Sequence, residues 1–418
     1  MISESGRANG TTAAAPTHPV ELRAFVFALF FIFGGITSLN DVIIPKLKAL
    51  FTLSTADAML VQSAFFAAYF IVSLPAAAVV ERIGYMRTAV VGLLMMTAGC
   101  LLFVPASGSG MFGMFLLALF VLAAGITTVQ VVANPLISLL GAPVTAHSRL
   151  TFAQAFNSLG TTIFPYVGSI LILGSLARVH PAALSAAANA AFRIVATRVV
   201  EHTYLGLAIA LLIVAALVWM HRNRLHEESE PPKSILRAFT LLREMRFGMG
   251  ALCIFLYVGA EVSIGSLIVI YLMQPSVWGA AAEEAGKHVP FYWGGAMIGR
   301  FIGAYFLKVF SPGKVLACVA IGALLLLLAS ANLGGIASGW SLLAIGLCNS
   351  IMFPTIFSLA SEDLGPRTAE GSGIICMAIV GGAVVPWVTG RMADLVGLKE
   401  ALVVPAFCYL MILAFGIY

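Results

Sequence analysis

Two carboxylates stand inside long apolar runs: Asp41 in "ITSLNDVIIP" and Glu261 in "LYVGAEVSIGS". An ionised Asp at the centre of a membrane helix costs about 2.5–3.5 kcal/mol, so a residue of this kind pairs, titrates or meets a substrate. Amides and hydroxyls recur around them at helical spacing. Thr37, Asn40 and Asp41 fall at i, i+3, i+4, and Gln62, Phe65, Phe66 and Tyr69 at i, i+3, i+4, i+7. Further along come Thr127, Gln130 and Asn134, then Gln154, Asn157 and Thr161. Each stripe combines hydrogen-bonding groups with apolar or aromatic neighbours. That mixture suits a sugar, whose hydroxyls want amides and carboxylates and whose C–H faces want rings. Polar side chains also join membrane helices to one another, at about 0.6 kcal/mol each. Four such stripes in succession favour a shared cavity over four separate joints.

In the second half of the chain Glu261 is flanked on one face by Tyr257 and Gly265, and Tyr292, Trp293 and Asn349 can complete that side. The Tyr292–Trp293 pair equally fits an aromatic belt at the membrane surface. Arg300 is the one arginine inside an apolar span, where it can pair with Glu261 or Asp41.

These residues need helices in a bilayer to hold them. Of the 418 residues 61% are hydrophobic and 10% charged, too apolar for a water-facing surface. Runs of about 20 apolar residues, the length of a bilayer span, lie near 22–45, 56–80, 86–105, 111–140, 148–175 and 203–221. Six more lie near 248–274, 286–309, 313–331, 338–361, 369–392 and 398–418. The expectation is an all-α polytopic membrane protein with twelve transmembrane helices. Its divisions are a disordered cytoplasmic tail (1–21), an N-terminal bundle (22–221), a cytoplasmic linker (222–247) and a C-terminal bundle (248–418). The six cysteines fall in apolar runs without metal-ligand spacing and read as packing residues.

An even number of spans puts both termini on one side. That side gathers 14 Lys and Arg residues against 8 on the other, which makes it cytoplasmic by the positive-inside rule. The net charge of +5 thus needs no nucleic-acid partner. Gly35 and Gly259, Pro135 and Pro354, and Gly160 and Gly381 pair at offsets of 224, 219 and 221 residues. Near-constant offsets across three helix pairs indicate a duplicated six-helix unit, the plan of many secondary transporters.

"AVVERIGYMR" (78–87) resembles the loop between helices 2 and 3 of the major facilitator superfamily, with Ala77 and Glu81 where that motif has Gly and Asp. "LNDVIIP", "QSAFFAAYF", "VQVVANPLISLLG", "RLTFAQAFNSLG", "YVGAEVSIGS" and "NSIMFPTIFSLA" occur in order and resemble its fucose–galactose–glucose–proton symporter branch. In that branch the L-fucose permease has Glu in helix 4 and Gln in helix 7, and the glucose/galactose transporters the reverse. Gln130 and Glu261 match the second pattern. The resemblance implies a major facilitator fold of two pseudo-symmetric six-helix bundles and uptake of a hexose coupled to H⁺ or Na⁺, without a cofactor.

On this reading Asn40, Gln62, Phe66, Tyr69, Gln130, Asn134, Gln154, Asn157, Glu261, Trp293 and Asn349 contact the sugar. Asp41 and Glu261 couple the ion, and Glu81, Arg82 and Arg87 act as a gate latch. The expected setting is a plasma membrane, a bacterial inner membrane in particular, with a monomeric chain whose partners are the sugar and the bilayer. The alternative is a drug or metabolite efflux antiporter of the same superfamily. "GTTIFPYVGS" partly matches the exporters' Gly-x3-Gly-Pro-x2-Gly-Gly, with Phe164 and Ser169 in place of two glycines. No His cluster or nucleotide loop points to an enzyme.

Overall fold

A computed structural model describes residues 20–51, 55–109, 111–168, 186–222, 235–280, 284–285 and 287–418. Six helices run in order through the first half: α1 (Val20–Phe51), α2 (Thr55–Ile83), α3 (Tyr85–Ser109), α4 (Phe112–Leu139), α5 (Ala146–Gly168) and α6 (Ala186–Met220). The second half brings α7 (Met245–Met273), α8 (Val289–Val309), α9 (Pro312–Asn332), α10 (Gly335–Ala360), α11 (Gly365–Val396) and α12 (Glu400–Ile417). No strand occurs among the described residues. Nine of these helices are long and apolar enough to cross a membrane over their described residues. α5 and α8 are not among them, because they carry His147, Arg149, Gln154, Asn157, Arg300 and Lys308. They pack on each other, which gives Arg300 of α8 partners at Gln154 and Ser158 of α5, while Lys308 is exposed.

The two halves repeat one wiring scheme. α1 packs on α5, α2 on α4, and α3 on α4 and α6. In the same places α7 packs on α11, α8 on α10, and α9 on α10 and α12. The glycines that the sequence pairs make the same contact twice. A Cβ on Gly160 would strike the carbonyl oxygen of Phe31, and a Cβ on Gly381 would strike that of Phe255. Only a residue without a side chain lets α5 lie on α1, and α11 on α7, at that distance.

The paired prolines also do related work. A proline has no N–H for the carbonyl four residues before it, and its ring crowds that carbonyl. In α10 the helix breaks between Asn349 and Met352, just ahead of Pro354. The released Ser350 carbonyl accepts from Arg300 Nε at 3.1 Å. In α4 the helix continues through Pro135, and the Val131 carbonyl accepts from Ser372 Oγ of α11 at 2.9 Å. Freed backbone acceptors are tolerable at this depth because side chains from other helices satisfy them.

The halves meet where α2 packs on α11 and α5 on α8, with α4–α11 and α5–α10 contacts alongside. All six cysteines are free; Cys100, Cys253, Cys376 and Cys408 are buried packing groups, Cys348 is half-buried and Cys318 is exposed.

Candidate functional site

In the first half, α4 and α5 bring polar groups together and leave several unpartnered. Thr127 and Asn134 are buried and Gln130 is half-buried on one face of α4. Among the described residues, Thr127 Oγ1, Gln130 Oε1 and Asn134 Nδ2 have no protein hydrogen-bond partner, nor has Thr151 Oγ1 on α5. Each buried orphan costs about 1–3 kcal/mol unless something satisfies it. Gln154 Nε2 donates to Asn134 Oδ1 at 3.4 Å, joining the two stripes, and Asn157 Nδ2 donates to the Phe30 carbonyl of α1 at 3.4 Å. Both bonds are long for an N–H donor and yield readily to a better acceptor. On α2, Phe66 and Tyr69 are buried, and Phe65 lies 6.1 Å from Phe66 and 5.4 Å from Tyr69, ring centre to ring centre. Phe66 faces Gly382 of α11, so it sits at the seam between the halves. The backbones of Asn40, Asp41 and Gln62 are helical, but their side chains lie outside the described residues.

Around Glu261 the second half closes its polar groups on one another, while Gln274 Oε1, Thr355 Oγ1 and Ser361 Oγ have no partner among the described residues. Tyr257 stands at the centre, its hydroxyl donating to Glu261 Oε1 at 2.7 Å and lying 3.1 Å from the Asn349 carbonyl. Asn349 Nδ2 donates to the Tyr292 hydroxyl at 2.7 Å, and the Tyr409 hydroxyl donates to Asn349 Oδ1 at 2.8 Å. The Tyr292 hydroxyl reaches the Glu261 carbonyl at 3.2 Å. Tyr257, Tyr292, Tyr409 and Asn349 are each at most 1% exposed. Tyr292 is therefore interior, not part of a surface belt. Trp293 is exposed and packs edge-on against Tyr292 at 5.1 Å. The sequence groups Asn349 with the sugar ligands, whereas its amide is committed to two tyrosines from α8 and α12.

Arg300 spans the seam. From α8 it donates to the Ser350 carbonyl, to the Gln154 carbonyl at 3.4 Å and to Ser158 Oγ. No ion pair joins it to Glu261 among the described residues, where Tyr257 holds the carboxylate instead. Toward the end of the molecule that carries the α4–α5 and α10–α11 turns, further links close the seam. Ser148 Oγ donates to the Ala304 carbonyl at 2.7 Å, and Phe152 meets Phe301 at 6.1 Å. His147 Nε2 donates to Glu362 Oε1 at 2.9 Å, and Arg246 pairs with the other oxygen of Glu362. Burial of Glu362 works against its charge, but the His147 bond and the Arg246 charge outweigh it and hold the carboxyl below its ordinary range. Glu81 is half-buried, and Arg82 and Arg87 are exposed at the α2–α3 turn, at this same end.

Sequence spacing did not single out Tyr409, Ser158, His147, Glu362 or Arg246. Their partners lie 60 to 215 residues away along the chain, and no local pattern marks them.

Residues 26–386 match the profile of the Major Facilitator Superfamily. The glucose/galactose transporter of Brucella abortus biovar 1 (strain 9-941) is 47% identical over 389 residues, covering 93% of this chain and 92% of that protein. The L-fucose-proton symporter of Escherichia coli (strain K12) is 33% identical over 405 residues, covering 94% and 92%. A crystal structure of a transporter named FucP, in the outward conformation, superposes with a TM-score of 0.87 at 31% identity, covering 95% of this chain and 98% of that one.

Proposed function

The chain belongs to the Major Facilitator Superfamily, and we propose that it is a multi-pass secondary transporter, not an enzyme, that takes up a glucose- or galactose-type hexose with a cation by alternating access. The observation that carries this is the set of atoms on α4 and α5 without a partner among the described residues: Thr127 Oγ1, Gln130 Oε1, Asn134 Nδ2 and Thr151 Oγ1. They include donors and acceptors, and a polyol supplies both. Relatives named for glucose, galactose and fucose support a sugar in that role.

In the proposed arrangement Asn40, Gln62, Gln130, Asn134, Gln154 and Asn157 bond the sugar's hydroxyls, and Phe66 and Tyr69 cover its apolar face. Asp41 carries the coupling ion, H⁺ or Na⁺, and Glu261 braces α7 through Tyr257 or meets the sugar directly. The chain works as a monomer in a bacterial inner membrane with both termini in the cytoplasm. The closed end is then cytoplasmic and the conformation outward-facing, with Glu81, Arg82 and Arg87 assisting the latch there. The exporter alternative loses support at Phe164, whose ring fills the α1–α5 crossing beside Gly35 where the exporter motif has glycine.

Counterflow of a labelled hexose panel in proteoliposomes, with and without Na⁺, tests the reading. Exchange confined to glucose- and galactose-type hexoses is the expected result, and exchange of none of them would overturn it.

A further inference from the structure

A cavity of about 460 Å³ lies at the closed end between α1, α5 and α8, away from the proposed sugar site. Arg23, Arg149 and Lys308 line it together with the rings of Phe27, Phe152 and Tyr305, and no carboxylate does. Arg23 makes no hydrogen bond or ion pair among the described residues, and its Nε is buried without a partner. Arg149 donates to the carbonyls of Ile137, Ser138 and Ala142 and to Thr145 Oγ1, which fix its position, and no carboxylate pairs with it among the described residues.

The two guanidinium groups are close. A Cβ on Gly141 would stand 2.8 Å from Arg149 Nη1 and 3.2 Å from Arg23 Nη2, which places those nitrogens within about 6 Å of each other. Two cations at that distance repel, and a third, Lys308, faces them from the other half. An anion between them removes the repulsion.

The surroundings indicate what carries that anion. Phe152, Phe301 and Tyr305, on α5 and α8, are 38%, 44% and 66% exposed beside the cations. A ligand that is anionic at one end and apolar along its length fits this wall. Ser148 and Ala304, bonded to each other across the seam, are both part of the lining, so an occupant touches the two halves. Basic pockets between helix ends at the membrane surface are suited to anionic headgroups.

We propose that this cavity binds the phosphate headgroup of an anionic phospholipid, which bridges Arg23 of the first half to Lys308 of the second and holds the seam closed. The full chain, purified in detergent, is incubated with phosphatidylglycerol or phosphatidylcholine and bound lipid is read by native mass spectrometry. Phosphatidylglycerol is expected to be retained about tenfold better, and Arg23→Gln with Lys308→Gln to bring it down to the phosphatidylcholine level while hexose binding persists. Equal retention of the two lipids by the unmodified chain would overturn the proposal, whatever the variant does. So would undiminished phosphatidylglycerol retention by the double variant. Displacement of phosphatidylglycerol by millimolar inorganic phosphate would overturn the lipid assignment in favour of a free anion.

Discussion

Gly160 of α5 rests on the Phe31 carbonyl, and Gly381 of α11 makes the same contact with Phe255, 221 residues later for the glycine. Around these equivalent crossings the halves treat polar groups in opposite ways. α4 and α5 leave Thr127, Gln130, Asn134 and Thr151 with atoms that have no partner among the described residues. α7, α8, α10 and α12 tie Glu261, Tyr257, Tyr292, Asn349 and Tyr409 into one network, with Thr355 the buried hydroxyl left over on α10. Among the described residues, the first half thus leaves these polar atoms open and the second closes its own around Glu261, the pattern expected if one half binds and the other braces. Orphaned atoms cost stability in the free protein and recover it when a ligand arrives. A closed network instead stiffens the surface against which that ligand is held.

The largest expected effect breaks the comparison at its two carboxylates. Asp41→Asn keeps shape and much of the hydrogen bonding but removes titration and charge. It should abolish accumulation of hexose against a gradient while exchange of labelled sugar continues. Glu261→Gln, whose amide can still accept from Tyr257, should accumulate sugar at a reduced rate. Accumulation by the first variant and not the second would transfer coupling to the bracing half.

Next in size is Asn349→Ala. It strips the Tyr409 hydroxyl of its partner, at about 1–3 kcal/mol for a buried orphan, and leaves the Tyr292 hydroxyl with the Glu261 carbonyl alone. A lower melting temperature in detergent is expected, with hexose affinity of the folded protein nearly unchanged. An unchanged melting temperature with lost affinity would return Asn349 to the sugar ligands.

The smallest effect is at the latch. Glu362 is held below its ordinary value of 4.5 because the His147 bond and the Arg246 charge outweigh burial. Its contribution to the closed seam is therefore complete above that value and lost as the pH falls through the lowered one. Partly exposed pairs of this kind contribute about 0.2–1 kcal/mol. Glu362→Gln should speed amide exchange in the 361–364 turn a few-fold at neutral pH and remove its acid dependence. Identical exchange profiles in both proteins would show that the latch does not hold the seam.

The helices were legible in the sequence because bilayer thickness fixes their length, and the duplication because close helix crossings demand glycine at Gly160 and Gly381. Thr127, Gln130 and Asn134 could be grouped from spacing alone, as could Gln154, Asn157 and Thr161, since a helix face is a local property. Asn349 could not be interpreted that way. Its partners Tyr292 and Tyr409 come from other helices, 57 and 60 residues away, and nothing local distinguishes a committed amide from a free one. Arg300 stood out as an intramembrane cation and suggested a carboxylate partner. Its actual acceptors include a backbone oxygen that Pro354 releases, a consequence of helix geometry rather than of charge pairing. His147 and Glu362, 215 residues apart, meet only once the two halves are assembled.

The claim that the first half binds and the second braces is tested most directly by calorimetric titration of hexose into Gln130→Ala and Tyr409→Phe side by side. Gln130→Ala should lose about 1–3 kcal/mol of binding, roughly 5- to 150-fold in affinity. Tyr409→Phe should bind within about twofold of the unmodified chain, a difference of roughly 0.4 kcal/mol. Unchanged affinity in Gln130→Ala together with a large loss in Tyr409→Phe would contradict the account.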